Sequence, residues 1–383
     1  MPGWKVPLAD VAVPESDIAL VADVYRSGWL SMGPRTADFE RALAAYTGAR
    51  HALATANGTA ALHLICLAAG FGPGDEVIVP SLTFVASVNA IAYTGATPVF
   101  VDIDALDRPW PAAAAVEAAI TPRTRGVMTV AYGGHPGEIA AIRELTDRRG
   151  LTLLEDAAHA IGVRHEGRHV GTFGAAGAFS FFSNKNLAVG EGGAVVTDDD
   201  ALAERMRLLR SHGMTTLTWD RHRGHAASYD VVALGFNYRI DEPRAALATA
   251  RLQRLDAENE RRAELVRRYR ERMPDGAAPT APGGLHIFTV VVDGDRDAVR
   301  EGMAQLGVQT SVHYPPVHRF SIYSDGAPDL PLTDAYAARA ITLPLFADMT
   351  EAQQDLVLDA LAAQPIGGLG DPVAHADPRA PAE

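Results

Sequence analysis

A single lysine lies in sequence surroundings that do not suit an ordinary surface residue. Lys185 falls within SFFSNKNLAVGEGG (180–193), after an apolar run at 178–182 and before a turn rich in glycine. Lysine usually stays on the surface, because burying its charge is costly. At the end of a buried strand its amine could instead form a Schiff base with a carbonyl compound. The alternative, a solvated loop lysine, explains neither the apolar flanks nor the glycine-rich turn at 190–193.

Two other strand ends carry polar groups of a different kind. Asn57-Gly58-Thr59 follow HALATA (51–56) and open a helical run, where backbone N–H groups and the helix dipole favour a phosphate. An ordinary helix N-cap turn is the alternative there. Asp156 follows LTLLE, and a carboxylate at a buried strand end needs a cation or strong donors. A structural ion pair or a helix cap would also satisfy Asp156.

Together these residues describe one site, because ligands of open α/β sheets bind at the carboxyl ends of the strands. A phosphorylated pyridine aldehyde needs the lysine amine, a carboxylate that keeps its ring nitrogen protonated, and donors such as Ser180 for its phosphate. Phe84, after the strand EVIVP, is placed to stack on such a ring, with core packing as the alternative. His159, taken alone, is more typical of a structural histidine.

The segments that must position these residues alternate between strand-like and helix-like runs. The strand candidates are 51–56, 76–80, 98–104, 125–132, 151–156, 177–182 and 193–198. Most are continuously apolar, as strands buried on both faces are. The pattern predicts an α/β fold with a mostly parallel sheet of about seven strands between helices. At least one antiparallel strand is expected near the 177–198 pair.

The sequence pattern of the C-terminal third of the chain predicts a smaller α+β domain. Asp241-Glu242-Pro243 should open one long helix, since an Asp N-cap and a first-turn proline are good start signals. Residues 274–284 read as a loop, LHIFTVVVD and VQTSVHY as strands, and 297–306 and 350–363 as helices. We therefore expect a large cofactor-binding domain over 1–250, a small domain over 251–365, and a disordered tail over 366–383 that is rich in Pro, Gly and Ala.

Composition excludes several classes of protein. The chain has 383 residues, a formal net charge of −13 and one cysteine, Cys66. An acidic chain without a basic stripe argues against nucleic acid or an anionic membrane as the main partner. One cysteine allows no intramolecular disulfide, which fits a reducing compartment. With no apolar stretch near the roughly 20 residues of a membrane span and no signal-peptide pattern, we expect a soluble cytoplasmic protein.

The chain resembles the DegT/DnrJ/StrS family of pyridoxal-phosphate sugar aminotransferases, which have the aspartate-aminotransferase-like fold type I. The resemblance covers roughly residues 5 to 365. It rests on eight ordered motifs: SGWLSMGP, NGTAALHL, GPGDEVIVPSLTFVASVNAI, GATPVFVDID, LLEDAAHAIG, FSFFSNKNLAVGEGGAVVT, LGFNYRIDEPRAALATARL and SVHYPPVH. It implies pyridoxal 5'-phosphate as cofactor, Lys185 as its Schiff-base residue and Asp156 on the pyridinium nitrogen. Relatives in which histidine replaces the lysine act as dehydratases, and Lys185 counts against that branch.

The resemblance also implies further cofactor contacts. His159 should lie near the ring hydroxyl, at a position where many members have glutamine. The implied phosphate contacts are Gly58, Thr59, Ser180 and, from the other chain of a homodimer with shared sites, Asn237. Position 57 is Asn where serine is usual, which leaves the backbone contacts intact.

Substrate contacts are predicted from residue type and from the motifs. Arg239, two residues after Asn237, could bind a carboxylate or a nucleotide phosphate bidentately, with a surface ion pair as the alternative. Trp29 of SGWLSMGP is also a predicted substrate contact. His313, Tyr314 and His318 suggest a metal by residue type, but Pro315-Pro316 breaks the helical spacing of ligands, so sugar or carboxylate contact is expected and no metal. The loop 214–230 reads as a specificity loop or a dimer contact.

These observations predict an aminotransferase that moves an amino group from glutamate to a keto sugar linked to a nucleotide. A keto-cyclitol or another keto acceptor is an alternative within the same chemistry. A binding or regulatory protein with a decayed site is an alternative of another class. The sequence does not separate C3 from C4 amination, glutamate from glutamine as donor, or one nucleotide sugar from another.

Overall fold

The computed structural model describes residues 3–216, 228–282 and 284–366. Most of the predicted loop 214–230, including Trp219, and the tail residues 367–383 therefore lie outside the described residues. The strands up to residue 197 are β1 (His51–Thr55), β2 (Glu76–Pro80), β3 (Thr97–Val101), β4 (Thr124–Val130), β5 (Thr152–Asp156), β6 (Arg164–His165), β7 (Arg168–His169), β8 (Ala176–Ser180) and β9 (Gly193–Thr197). β6 and β7 form a short hairpin that the sequence did not predict.

The other seven strands form one sheet in the order β1-β9-β8-β5-β4-β2-β3. β9 runs antiparallel to both of its neighbours, whereas the other six strands run in one direction. The interior strands are buried along most of their length, which explains their unbroken apolar sequences. The prediction of a mostly parallel seven-stranded sheet with an antiparallel strand in the 177–198 pair is confirmed.

Helices cover both faces of this sheet. In chain order they are α1 (Glu15–Arg26), α2 (Pro34–Thr47), α3 (Gly58–Ala68), α4 (Val85–Ala92), α5 (Ala113–Ala118), α6 (Ile139–Arg149) and α7 (Asp200–Arg210). One apolar core packs α3, α4 and α7 on one face, and a second packs α5 and α6 on the other. Within the described residues, none of the helices is long and apolar enough to span a bilayer.

The helix predicted to run unbroken from Asp241 is two helices. α8 (Glu242–Leu252) begins at the expected Asp241 cap, whose carboxylate accepts from the Arg244 amide, but it ends before α9 (Leu255–Glu271). At the break, the guanidinium groups of Arg251 and Arg254 both bind the buried carboxylate of Asp17 in α1. The prediction of one long helix is therefore wrong. Helical periodicity does not reveal a tertiary ion-pair cluster of this kind.

A second, antiparallel sheet has the order β10-β11-β12, with β10 (Ala277–Pro279), β11 (Phe288–Val292) and β12 (Ala340–Leu343). It packs with α10 (Arg296–Gln305), α11 (Pro331–Arg339) and α12 (Glu351–Ala362). β11 and two of the helices match the prediction, whereas β10 lies in the predicted loop. The predicted strand VQTSVHY is wrong: this segment makes only isolated bridges, at Val308 and Ser311. The small sheet completes the expected α/β architecture.

Candidate active site

The carboxyl ends of the parallel strands meet along one edge of the large sheet. α3 begins three residues after β1 ends, Asp156 ends β5 and Ser180 ends β8. Gly58, Thr59, Asp156, Ser180 and Lys185 all line one cavity of about 880 Å³. The residues proposed from separate strand ends are therefore brought together by the direction of the strands.

The turn before α3 leaves backbone donors facing this cavity. The Asn57 side chain caps the helix by accepting from the Ala60 amide at 2.8 Å, so the amides of Gly58 and Thr59 precede the first intrahelical bonds. A Cβ at residue 58 would lie 2.8 Å from Cβ of Ser180, closer than side chains tolerate. Glycine is thus required for β8 to bring the Ser180 hydroxyl beside the helix N-terminus. Two amides and two hydroxyls there suit a phosphate.

Asp156 is a buried carboxylate held by two donors. The Ser87 hydroxyl donates to one of its oxygens at 2.6 Å and the Ala158 amide donates to the other at 3.0 Å. Burial raises the pKa of Asp156, while these two hydrogen bonds and the nearby Lys185 oppose that rise. Ser87, on α4, was not predicted, because its sequence surroundings are those of an ordinary helix. It orients the carboxylate towards the cavity.

Lys185 contributes its amine from the loop that follows β8. Burial lowers the pKa of this amine to about 8, and the charge of Asp156 opposes the shift. A lysine with a pKa close to neutrality is deprotonated far more often than a surface lysine, as a nucleophile and general base must be. The solvated-loop alternative for Lys185 is wrong, because the side chain lines the cavity.

His159 and Tyr314 form a neutral hydrogen-bonded pair that lines the same cavity. The Gly133 amide donates to Nδ1 of His159 at 3.2 Å, so the imidazole proton of the neutral ring lies on Nε2. Nε2 is 3.0 Å from the Tyr314 hydroxyl oxygen and donates to it. Burial holds the pKa of His159 well below its ordinary value and raises that of Tyr314. This leaves the phenol proton of Tyr314 available to a ligand.

Two further predicted residues line the cavity. His313 hydrogen-bonds through Nδ1 to the Thr342 hydroxyl at 2.8 Å, and burial lowers its pKa to about 4. Phe84 lies at the mouth, 56% exposed, with its ring 5.7 Å from the ring of Tyr314. The core-packing alternative for Phe84 is therefore wrong, and its exposed ring can contact a ligand in the cavity.

Three predicted residues lie outside this cavity. Among the described residues, those that line it do not include Asn237, Arg239 or Trp29. Asn237 is exposed and bridges to Ser211, and Trp29 packs over Gly33. The assignments of Asn237, Arg239 and Trp29 remain predictions that need a second chain or a substrate.

His318 lies apart from His313, with Nδ1 2.6 Å from the Ser81 hydroxyl. Within the part of the chain that the structure describes, no three His, Cys, Asp or Glu side chains converge as metal ligands would. Residue type alone suggested a metal for this segment. The structure instead divides the two histidines between the cavity and the buried Ser81.

Other lining residues carried no sequence signal. His63, Tyr93 and Tyr238 also line the cavity, and Nδ1 of His63 lies 3.0 Å from the Tyr238 hydroxyl. These residues come from α3, from the end of α4 and from the segment before α8. A histidine inside the apolar run of α3 reads as core, so only the folded chain places it at the site.

Comparison with known proteins shows which family the chain is similar to. The family model for the DegT/DnrJ/EryC1/StrS aminotransferases matches residues 12–362. DesV of S. venezuelae, solved in complex with a ketimine intermediate, is 40% identical, with 91% of this chain and 94% of that chain covered and a TM-score of 0.84. DesI, solved in the presence of its TDP-sugar product, is 34% identical, with coverage of 94% and 93% and a TM-score of 0.84.

The Spr1654 protein of Streptococcus pneumoniae, in its PLP form, is 27% identical, with coverage of 93% and 97% and a TM-score of 0.87. The residues of the present chain fit the same cofactor: the cradle between Gly58 and Ser180 suits a phosphate, and Asp156 and Lys185 line the adjoining space. When bound, pyridoxal phosphate supplies an aldehyde for a lysine amine and a ring that withdraws electrons. The chain is a pyridoxal-phosphate-dependent sugar aminotransferase and belongs to the DegT/DnrJ/EryC1/StrS aminotransferase family.

Proposed function

We propose that this protein transfers the amino group of glutamate to a keto sugar carried by a nucleotide, giving an amino-deoxysugar nucleotide. The observation that carries the proposal is the placement of a Lys185 amine with a lowered pKa in the same cavity as Asp156 and the phosphate-binding turn. An amine, a carboxylate and an anion cradle around one space are the groups that transamination with this cofactor requires.

The residues have separate roles in this proposal. Gly58, Thr59 and Ser180 would hold the phosphate of the cofactor, and Phe84 would stack on its ring. Asp156 would face the ring nitrogen, and the Ser87 and Ala158 donors favour its ionised form there. Lys185 takes a proton from the substrate carbon and returns it one position away, as a general base and then a general acid. His159 and Tyr314 supply hydrogen bonds from neutral groups that line the same cavity.

A nucleotide sugar as acceptor is supported by the size of the cavity and by a relative. About 880 Å³ is near the upper end of ordinary small-molecule sites, so the cavity has room for a substrate beyond the cofactor ring. DesI was solved with its TDP-sugar product. His313, Tyr314, Arg239 and Trp29 are the side chains that we assign to substrate contact.

Turnover with defined substrates tests this assignment. Purified protein loaded with pyridoxal phosphate should be assayed with glutamate, glutamine, aspartate and alanine as donors. Each donor should be combined with 3-keto and 4-keto nucleotide sugars and with a keto-cyclitol. We expect amination of at least one nucleotide keto sugar with glutamate. Turnover of the cyclitol alone would exclude the nucleotide-sugar acceptor while leaving the aminotransferase chemistry intact.

A homodimer with shared sites is supported by exposed apolar residues beside the predicted contact from the second chain. Val231, Val232 and Leu234 are 55%, 56% and 90% exposed, and they immediately precede Asn237. Neighbouring exposed apolar side chains can mark a surface that contacts another protein chain. Because Asn237 and Arg239 do not line the cavity of their own chain, we assign them to the site of the partner.

Mixed dimers test the shared site. Lys185→Ala and Arg239→Ala should each be inactive or nearly so, and are co-expressed with different tags. In a mixed dimer, one site collects both defects and the other is intact. Random pairing therefore leaves roughly a quarter of all sites active under two-fold symmetry. An inactive mixed dimer that is folded and loaded with cofactor would refute the assignment of Arg239 to the partner's site.

We place the reaction in the cytoplasm. Cys66, the one cysteine of the sequence, is fully buried as a free thiol, which suits a reducing compartment. Fractionation of producing cells tests this placement, and recovery of the protein outside the cytoplasmic fraction would contradict it.

A further inference from the structure

A histidine outside the predicted site contacts the Lys185 amine. Nε2 of His286 lies 3.3 Å from Nζ of Lys185. His286 stands two residues before β11, so it reaches the lysine from the small sheet and not from the carboxyl edge of the large one. Its side chain is buried, and its ring lies 4.3 Å from the ring of His159. The amine therefore meets a buried imidazole that belongs to the small-sheet region of the chain.

The partners of His286 have fixed hydrogen-bond directions. Nδ2 of Asn259 donates to the Ile161 carbonyl at 3.2 Å, which leaves the Asn259 side-chain oxygen as an acceptor. Nδ2 of Asn186 donates to that oxygen at 2.8 Å and to the Leu285 carbonyl at 3.1 Å. Two backbone carbonyls thus determine how both amides are turned, since a carbonyl oxygen can only accept.

These directions determine which nitrogen of His286 carries the proton. The side-chain oxygen of Asn186 faces Nδ1 of His286 at 3.1 Å and can only accept, so Nδ1 is the N–H donor. Burial, reinforced by the charge of Lys185, keeps the pKa of His286 well below its ordinary value, so the ring is neutral. Nε2 therefore presents a lone pair to the Lys185 amine.

We propose that Asn259, Asn186 and His286 form a one-directional hydrogen-bond chain that makes Nε2 of His286 a standing acceptor for the Lys185 amine. The proposal rests on the proposed role of Lys185. The hydrogen-bond chain would orient the Lys185 amine whenever the amine is released from the cofactor. His286 is a positioning residue and not a second base, because a neutral, buried imidazole tethered at Nδ1 holds the amine without accepting its proton.

The other groups around Lys185 act in different directions. The charge of Asp156 favours the ammonium form, whereas His159 and His313 are neutral and contribute no charge. Besides Lys185 itself, the charge of Arg262 also disfavours protonation of the His286 imidazole. An acceptor at Nε2 favours the ammonium over the free amine, since a charged donor makes the stronger hydrogen bond. Loss of the acceptor must therefore lower the pKa of Lys185 further.

The experiment measures that pKa directly in protein loaded with pyridoxamine phosphate, which has no aldehyde and leaves Lys185 free. The rate at which acetic anhydride acetylates Lys185 is followed against pH by peptide mass spectrometry. In His286→Phe we expect the pKa of Lys185 to fall by about one unit from its wild-type value. In His286→Gln, whose side-chain oxygen can accept from the amine, the pKa of Lys185 should return most of the way to its wild-type value. Asn186→Leu should lower it by a smaller amount, because His286 remains but is untethered.

His169→Phe is the matched control. His169 is also a buried histidine with a lowered pKa, accepts from the Gly162 amide, and does not line the cavity. An unchanged Lys185 pKa in both His286 variants would overturn the acceptor, and an unchanged value in Asn186→Leu would overturn the directed chain. If His286→Phe fails to fold, the Lys185 pKa values of Asn186→Leu and His286→Gln still test the proposal. Borohydride reduction of the wild type with pyridoxal phosphate separates the proposals: a label on another lysine contradicts the role of Lys185 itself.

Discussion

The two walls of the cavity differ in charge. On the wall formed by the large sheet, burial raises the pKa of Asp156, and the donors Ser87 and the Ala158 amide, with the nearby Lys185, oppose that rise. The other wall, formed by His159, His313 and Tyr314, is neutral, because burial lowers the pKa of both imidazoles and raises that of the phenol. Burial is common to both walls, but only the sheet wall has hydrogen-bond donors and a cation that favour the charged form of its titratable group.

This difference divides the chemistry between the walls. In the proposed function, a negative charge on the sheet wall would stabilise a protonated ring nitrogen of the cofactor. The opposite wall can fix orientation through hydrogen bonds of defined direction, as in the donation from His159 to Tyr314. Substitutions that remove charge from the sheet wall should thus be far more damaging than substitutions that preserve hydrogen bonds on the other.

The largest effect is expected for Lys185→Ala. The variant should still bind pyridoxal phosphate through Gly58, Thr59 and Ser180, but transamination should be lost, because both the nucleophile and the proton carrier are gone. Single-turnover absorbance measurements with glutamate check the loss, and retention of cofactor after gel filtration checks binding. Substantial turnover by Lys185→Ala would show that another amine does this work.

Asp156→Asn removes the charge of the sheet wall and keeps the size of the side chain. We expect the barrier to rise by about 3 kcal/mol, or roughly 100-fold in rate. Glu155→Gln is the matched control, because this neighbouring carboxylate is also buried but accepts from the Gly171 and Gly174 amides. Measured kcat values should fall for Asp156→Asn and much less for Glu155→Gln. Equal losses would mean that the two carboxylates act only through stability.

The sheet wall could be predicted from the sequence because topology does most of the work. Continuous apolar runs separated by helices imply parallel strands, and parallel strands bring their carboxyl ends together. Gly58, Asp156 and Ser180 follow from that rule before any contact is known. Ser87 does not, because a serine on a helix points at Asp156 only once α4 has packed against the sheet.

The opposite wall could not be predicted in the same way. VQTSVHY has the composition of a strand, yet the chain turns after Ser311 and brings His313 and Tyr314 to the cavity. His286, Asn186 and Asn259 lie far apart in the sequence, and no spacing rule joins them. Their association depends on how the small sheet packs against the large one, which is a tertiary property.

A smaller effect is expected for Tyr314→Phe on the neutral wall. The change leaves the His159 Nε2–H without its acceptor, which should cost about 1–2 kcal/mol of unfolding free energy and no more than roughly tenfold in kcat. Tyr336→Phe is the control, since its buried hydroxyl bonds Tyr132 and Thr289 away from the cavity. Denaturant melts should shift in both variants, whereas kcat should fall in Tyr314→Phe only. A 100-fold loss would mean that the phenol does more than hydrogen-bond.

The smallest effect is expected for His159→Gln, which tests whether this wall needs only directed hydrogen bonds. His159 accepts from the Gly133 amide through Nδ1 and donates to Tyr314 through Nε2. A glutamine side chain carries one acceptor and one donor and can replace both. We expect kcat to change by less than about threefold and stability by about 0.5 kcal/mol or less.

His159→Leu supplies the contrast to this substitution. It has neither a donor nor an acceptor, so the Gly133 amide and the Tyr314 hydroxyl both lose a buried partner, at a cost of about 1–3 kcal/mol for each unsatisfied group. Thermal melts and kcat of the two variants should therefore diverge although both remove the imidazole. If the glutamine variant were as impaired as the leucine variant, the imidazole ring itself would be required. The neutral wall would then share in the chemistry that we assign to the sheet wall.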